Sequence, residues 1–172
     1  GIDIREYSYE EYLQLFSVVF QDSKVYSFPL GNNIAASENV IEEKVIDALY
    51  RAGLEDLFKK LPQGIATYLY KDFDKNGIEI SGGEAQRMEI ARAIYQDHPF
   101  VIMDEPTAAL DPVAEYNVYV GFNEMVNNKT AVYISHRLSS CRFCDEIMVF
   151  DKGVVVQKGS HEELVGQEEG LY

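Results

Sequence analysis

The runs Ser17 to Gln21, Phe100 to Met103, Thr130 to Ile134 and Glu146 to Phe150 are apolar at consecutive positions instead of alternating with polar residues. Strands of that kind carry apolar groups on both faces and belong in a parallel sheet covered by helices. The second run ends in Asp104-Glu105-Pro106, and about twenty residues before it stands Ile80-Ser81-Gly82-Gly83-Glu84. Gly82 and Gly83 let the backbone approach a phosphate, and the free N–H groups of a helix starting there point at it with the positive end of the helix dipole. Ser81 and Glu84 form an S-x-x-E capping box, so the helix start is well specified. An anion-binding helix start followed by two carboxylates at a strand end points to nucleotide hydrolysis.

Between the first two strands the pattern turns helical. Ile41, Val45 and Leu49 share one face, and Gly53 closes that helix from the position after its cap. A second helix runs from Leu54 to about Lys60 and is stopped by Pro62. Tyr70 to Gly77 is polar and turn-rich and reads as a surface loop leading into Ser81. Asp111-Pro112 supplies an N-cap and a first-turn proline to a helix reaching about Met125. Asp151-Lys152-Gly153 has the composition of a hairpin turn between Glu146–Phe150 and Val154–Gln157. Ser160-His161-Glu162-Glu163 opens a terminal helix with a second capping box.

With 172 residues, of which 47% are hydrophobic, the chain can build one domain with a core. A net charge of −14 argues against a nucleic-acid surface and requires local devices to hold any phosphate. No stretch approaches the ~20 apolar residues of a membrane span. Cys141 and Cys144 are spaced C-x-x-C, but no second ligand pair completes a metal site, so they read as ordinary partly buried thiols suited to a reducing compartment.

Further motifs stand in order along the chain. Val18-Val19-Phe20-Gln21-Asp22 is followed by Ser81-Gly82-Gly83-Glu84 with Arg87, then Asp104-Glu105, Ala108-Ala109-Leu110-Asp111, and Ser135-His136-Arg137-Leu138-Ser139. Together they resemble the nucleotide-binding domain of an ABC transporter, as its Q-loop, signature, Walker B, D-loop and H-loop. Two mild departures are Glu84 for the commoner Gln and Ala108-Ala109 for the commoner Ser-Ala. The resemblance implies an α/β fold, P-loop NTPase-like (RecA-like), with a parallel sheet flanked by helices. An inserted helical subdomain would span about residues 32–95, and the RecA-like core residues 1–31 and 96–172. The pattern G-x-x-x-x-G-K-[ST] occurs nowhere. The chain therefore reads as the C-terminal part of such a domain, truncated at the N-terminus, with the Walker A loop and N-terminal β-subdomain absent.

By this resemblance Asp104 serves Mg²⁺ and Glu105 orients or deprotonates the attacking water. Gln21 offers an amide oxygen to the metal or its water and senses the γ-phosphate, which His136 contacts. Taken alone, Asp104 and Glu105 also read as capping or solvated acids, and His136 as a polar strand end. Ser81, Gly82, Gly83 and Glu84 would complete the ATP site of a second nucleotide-binding domain packed head to tail, with Asp111 reaching across; capping by itself also explains Asp111. His98 and His161 look dispensable. Ser135 to Ser139 and Gly159 to Leu164 resemble exporters more than importers. That implies transmembrane partner domains, a place on the cytoplasmic side of the membrane, and ATP and Mg²⁺ as cofactors.

Two other readings stand beside this one. A soluble ABC-type ATPase of chromosomes, DNA repair or the ribosome is one: the chromosome and repair types carry a long coiled coil where a compact helical stretch lies between Gln21 and Ser81, which disfavours them, and the ribosomal type carries two cassettes and a charged linker, neither visible in this segment. A catalytically dead fragment is the other, and the isolated chain is expected neither to hydrolyse ATP nor to bind it tightly. Unpaired strand edges and an exposed apolar face are expected to make it self-associate unless a partner covers them.

Overall fold

The computed structural model describes residues 2–22, 24–106, 126, 129–137, 141–167 and 170–172. The chain forms two compact units, Gly1–Val132 and Tyr133–Tyr172. In the first, a 3-10 turn at Ile4–Glu6 and helix α1 (Tyr9–Leu13) lead into strand β1 (Phe16–Val19). Helices α2 (Leu30–Ala35), α3 (Glu42–Arg51) and α4 (Glu55–Phe58), a 3-10 turn at Gly64–Ala66 and helix α5 (Gly82–Gln96) follow, then strand β2 (Phe100–Asp104). Strand β3 (Thr130–Ile134) begins in this unit, and the sheet order is β1-β2-β3. β1 and β2 run parallel, with Phe16 opposite Phe100 and Val19 opposite Met103. The helix expected after Asp111 lies outside the described residues.

α5 is the central element because it is buried on more than one side. Met88 and Ala91 are fully buried, and Ile90, Ala93, Ile94 and Tyr95 nearly so. A helix apolar around most of its circumference has to be sandwiched, and α5 packs against β1 as well as α2 and α3. Val19, Val101 and Met103 supply the buried side chains of the strands; Leu30, Ile34, Val45, Ala48 and Leu49 supply those of the helices. Ser17, buried in β1, donates from Oγ to the Ala93 carbonyl at 3.3 Å, which ties the sheet to α5.

The end of α3 follows the expected chemistry. Gly53, at φ +72°, donates to the Tyr50 carbonyl at 3.0 Å, and Leu54 donates back to Leu49 at 2.9 Å. This is the Schellman arrangement that satisfies the last carbonyls of a helix. Ile41 departs from expectation: it is the N-cap and 61% exposed, so the buried face of α3 begins at Val45.

The polar run after Tyr70 is a surface loop, closed by Tyr70 N–H to the Ile78 carbonyl at 2.7 Å and Gly77 N–H to the Asp74 carbonyl at 2.9 Å. Here Gly77 is required by space: a Cβ would lie 1.7 Å from the Tyr70 oxygen and 3.0 Å from that of Asp74. Both are backbone atoms and cannot swing aside. Gly77→Ala is therefore expected to open the loop and cost ~2 kcal/mol or more, measured as a shift in the urea midpoint at unchanged slope.

In the second unit, β4 (Ile147–Asp151) and β5 (Val154–Gly159) form an antiparallel hairpin with Met148 opposite Lys158. The expectation that the Glu146–Phe150 run joins the parallel sheet is thus corrected: among the described residues its partner is β5. Two apolar runs joined by Lys152 and Gly153, both at positive φ, close with little loop entropy and pair with each other first. Apolar content also overstated burial, for Met148, Phe150 and Val154 are exposed, as are Val132 and Ile134 of β3. Ser160 and Glu163 form the expected capping box, and helix α6 (His161–Val165) follows.

Candidate functional site

Because β1 and β2 are parallel and Val19 sits opposite Met103, residues equally far beyond each strand emerge side by side. Gln21 and Glu105, each two residues on, meet: Gln21 Nε2 donates to Glu105 Oε2 at 3.0 Å. Asp104, the last residue of β2, lies beside this pair. Ligands gather at carboxyl ends of parallel strands for this reason, since the chain there turns out of the ladder and leaves side chains at one edge.

Glu105 turns sharply, at φ +47°. Its carbonyl accepts from Gln86 Nε2 at 3.4 Å, so the second turn of α5 lies against the end of β2. The start of α5 is built by the expected capping box. The Ser81 hydroxyl and N–H both donate to Glu84 Oε2, each at 2.7 Å, and Glu84 N–H returns to Ser81 Oγ at 3.3 Å. Partial burial pushes the Glu84 carboxyl up, but the Ser81 backbone and hydroxyl bonds, with the nearby Arg87 and Lys60 charges, outweigh it and hold it below its ordinary value. Glu84 is therefore an ionised capping group. At Gly82 a Cβ would meet nothing within 4 Å, so open space faces this helix start.

A cavity of about 810 Å³ opens next to the strand ends, lined among others by Val18, Phe20, Gln21, Arg92 and Asp104. On its wall Glu89 and Arg92 make an ion pair at 2.7 Å, with side chains 4% and 17% exposed. Arg92 also donates from Nε to the Asn33 carbonyl at 2.9 Å. The Asn33 amide in turn binds the backbone of Tyr26, Phe28 and Pro29, so these residues pin the segment after Gln21 onto α2 and α5. Burial pushes the Glu89 carboxyl above its ordinary value despite Arg92.

For a divalent cation the donors fit Mg²⁺. With Gln21 Nε2 donating to Glu105, its Oε1 would be the atom left to serve a cation, and Asp104 would add a hard carboxylate. Among the described residues no group of three or more His, Cys, Asp or Glu side chains converges. Mg²⁺ is held by one or two carboxylates together with waters and phosphates, and does not need a protein cage.

His136 follows β3 by two residues and belongs to the second unit. Asp111 lies outside the described residues, as do Ala108, Ala109, Leu110, Leu138 and Ser139. His98 uses Nδ1 on the Phe16 carbonyl at 2.8 Å, and His161 uses Nδ1 on the Tyr172 hydroxyl at 2.8 Å, so both are satisfied structurally. Cys141 and Cys144 form no disulfide and are half-buried; Cys141 donates from Sγ to the Arg137 carbonyl at 3.6 Å, and burial pushes the Cys144 thiol up, away from thiolate reactivity.

The family model described as ABC transporter matches residues 1–108. The chain belongs to the ABC transporter family. This ABC transporter chain is 39% identical over 167 residues to the ATP-dependent lipid A-core flippase of Methylobacillus flagellatus, covering 96% of the chain and 28% of the relative. It is 40% identical over 174 residues to the flippase of the same name from Francisella tularensis subsp. holarctica, covering 100% of the chain and 28% of the relative. Among solved structures, a bacterial Atm1-family ABC exporter with ATP bound superposes with a TM-score of 0.83 at 32% identity, over 96% of the chain and 28% of that exporter. The fold is accordingly P-loop NTPase-like. The chain spans under a third of the length of these relatives.

Proposed function

We propose that this chain is part of the ATP-binding and ATP-hydrolysing module of an ABC exporter. The observation that carries it is the Gln21–Glu105 hydrogen bond at the paired ends of two parallel strands, with Asp104 alongside. Mg²⁺ would supply charge neutralisation between phosphate oxygens, held by Asp104 and the Gln21 amide oxygen. Glu105 takes the proton of the attacking water, and Gln21 fixes the plane of that carboxylate. His136 donates to the γ-phosphate. Ser81, Gly82 and Gly83 present the start of α5 to the nucleotide of a second, head-to-tail module, with Glu84 securing that start and Asp111 reaching across. Transmembrane partners, met through the segment after Gln21 and the helical stretch of about residues 32–95, place the module on the cytoplasmic side of a membrane. No described helix is long and apolar enough to cross one.

Phosphate binding in this chemistry rests on charge-assisted hydrogen bonds, each worth ~1.5–3 kcal/mol, and a cradle of the G-x-x-x-x-G-K-[ST] kind supplies several. Without them affinity falls by about four decades, at ~1.4 kcal/mol per tenfold. Calorimetric titration of the 172-residue chain with Mg·ATP is expected to show no micromolar binding. A micromolar Kd would place a phosphate cradle within this chain and overturn that division of labour. In the assembled exporter, the reading requires ATP turnover that depends on Glu105.

A further inference from the structure

We propose that Gln86 is a positioning residue for Glu105: its buried amide holds the Glu105 main chain in the left-handed turn that aims the carboxylate. Glu105 precedes Pro106, and the ring of a proline pushes the residue before it toward extended backbone. A glutamate there at φ +47° is doubly unfavourable and persists only where its surroundings impose it. Two glutamines do so from flanking elements. Gln21, beyond β1, holds the carboxylate through Oε2, and Gln86, on α5, holds the backbone carbonyl through Nε2.

Gln86 is itself anomalous. It is 2% exposed on a helix whose other buried positions are apolar except for Glu89, and whereas Glu89 is paired with Arg92, the Gln86 Oε1 is buried with no hydrogen-bond partner. A buried orphan acceptor weakens a fold and asks for a reason. A methionine of similar length would fill the same space without one. The amide is explained if the Nε2 donor is what the site needs, with stability given up for the geometry of Glu105.

The test has two arms, and the turnover arm rests on the ATPase reading above. In the 172-residue chain, the intraresidue amide-to-Hα nuclear Overhauser effect together with the amide-to-Cβ coupling at Glu105 reports the sign of φ by nuclear magnetic resonance. Gln86→Met is expected to return Glu105 to negative φ with the thermal midpoint unchanged or raised. A left-handed Glu105 in that variant would overturn the proposal. Should the variant fail to fold, hydrogen exchange of the wild-type Gln86 side-chain amide decides: protection is expected, and free exchange would overturn it. In the assembled exporter Gln86→Met is expected to lower kcat by about tenfold to a hundredfold with KM nearly unchanged, as for a misplaced catalytic group. Unchanged kcat in an exporter whose turnover depends on Glu105 would refute the positioning role. An exporter without Glu105-dependent turnover would refute the ATPase reading instead, and the resonance arm would still decide on Gln86.

Discussion

Glu105→Gln is expected to cut ATP turnover of the assembled exporter by about 10²–10⁴-fold, the range for loss of a general base, while nucleotide affinity stays nearly constant. The substitution is close to isosteric, and the new side chain still offers a carbonyl oxygen to Gln21 Nε2, which now donates to Glu105 Oε2 at 3.0 Å. The left-handed turn and its bond from Gln86 involve only the backbone and should persist. What disappears is the ability to take a proton. A fall in kcat at constant KM is the signature of an interaction used in the transition state and not in the ground state. Steady-state kinetics alongside nucleotide-binding measurements check this. If Glu105→Gln turns over at the parent rate, the base lies elsewhere and the role given to this residue is wrong.

The fold and site were legible in the sequence to different depths, for physical reasons. Local chemistry was readable: the Ser81–Glu84 and Ser160–Glu163 boxes and the Gly53 closure each need only a few adjacent residues, and each stands as expected. The meeting of Gln21 with Glu105 needed pairing register across more than eighty residues, which spacing does not contain and only the resemblance supplied. Apolar runs reported content, not layers, so β4 was expected in the parallel sheet although its hairpin partner lay three residues away. Gln86, Glu89 and Asn33 were missed altogether. A polar side chain at a buried helix position leaves a weak signal: in α5, Gln86 and Glu89 interrupt an otherwise apolar face three residues apart, and that interruption was the available clue.

Those interruptions also set the largest expected effect on stability. Arg92→Ala should destabilise the chain by ~3–5 kcal/mol at neutral pH, the usual result of removing one partner from a buried ion pair. The loss has three parts: the 2.7 Å pair with Glu89, the 2.9 Å bond to the Asn33 carbonyl, and the packing of the guanidinium on the cavity wall. The first dominates because it strands a carboxylate that is only 4% exposed. Its pH dependence separates it from the others. Burial already raises Glu89 above its ordinary value in the folded state, so folding favours the protonated form and stability is lost as pH rises through the ordinary glutamate value of about 4.3 toward the folded one. Removing Arg92 raises the folded value further, which widens that window upward. The Arg92→Ala penalty should therefore be largest near pH 7 and shrink toward pH 4, where Glu89 is protonated with or without a partner. Urea denaturation of both forms at the two pH values measures this. Replacing the pair together, as Glu89→Leu with Arg92→Met, should recover most of the loss, since an apolar pair of similar volume leaves no charge behind. A penalty equal at both pH values, and not relieved in the double variant, would show that Arg92 acts by packing and by its hold on Asn33, and that the buried charge of Glu89 contributes little.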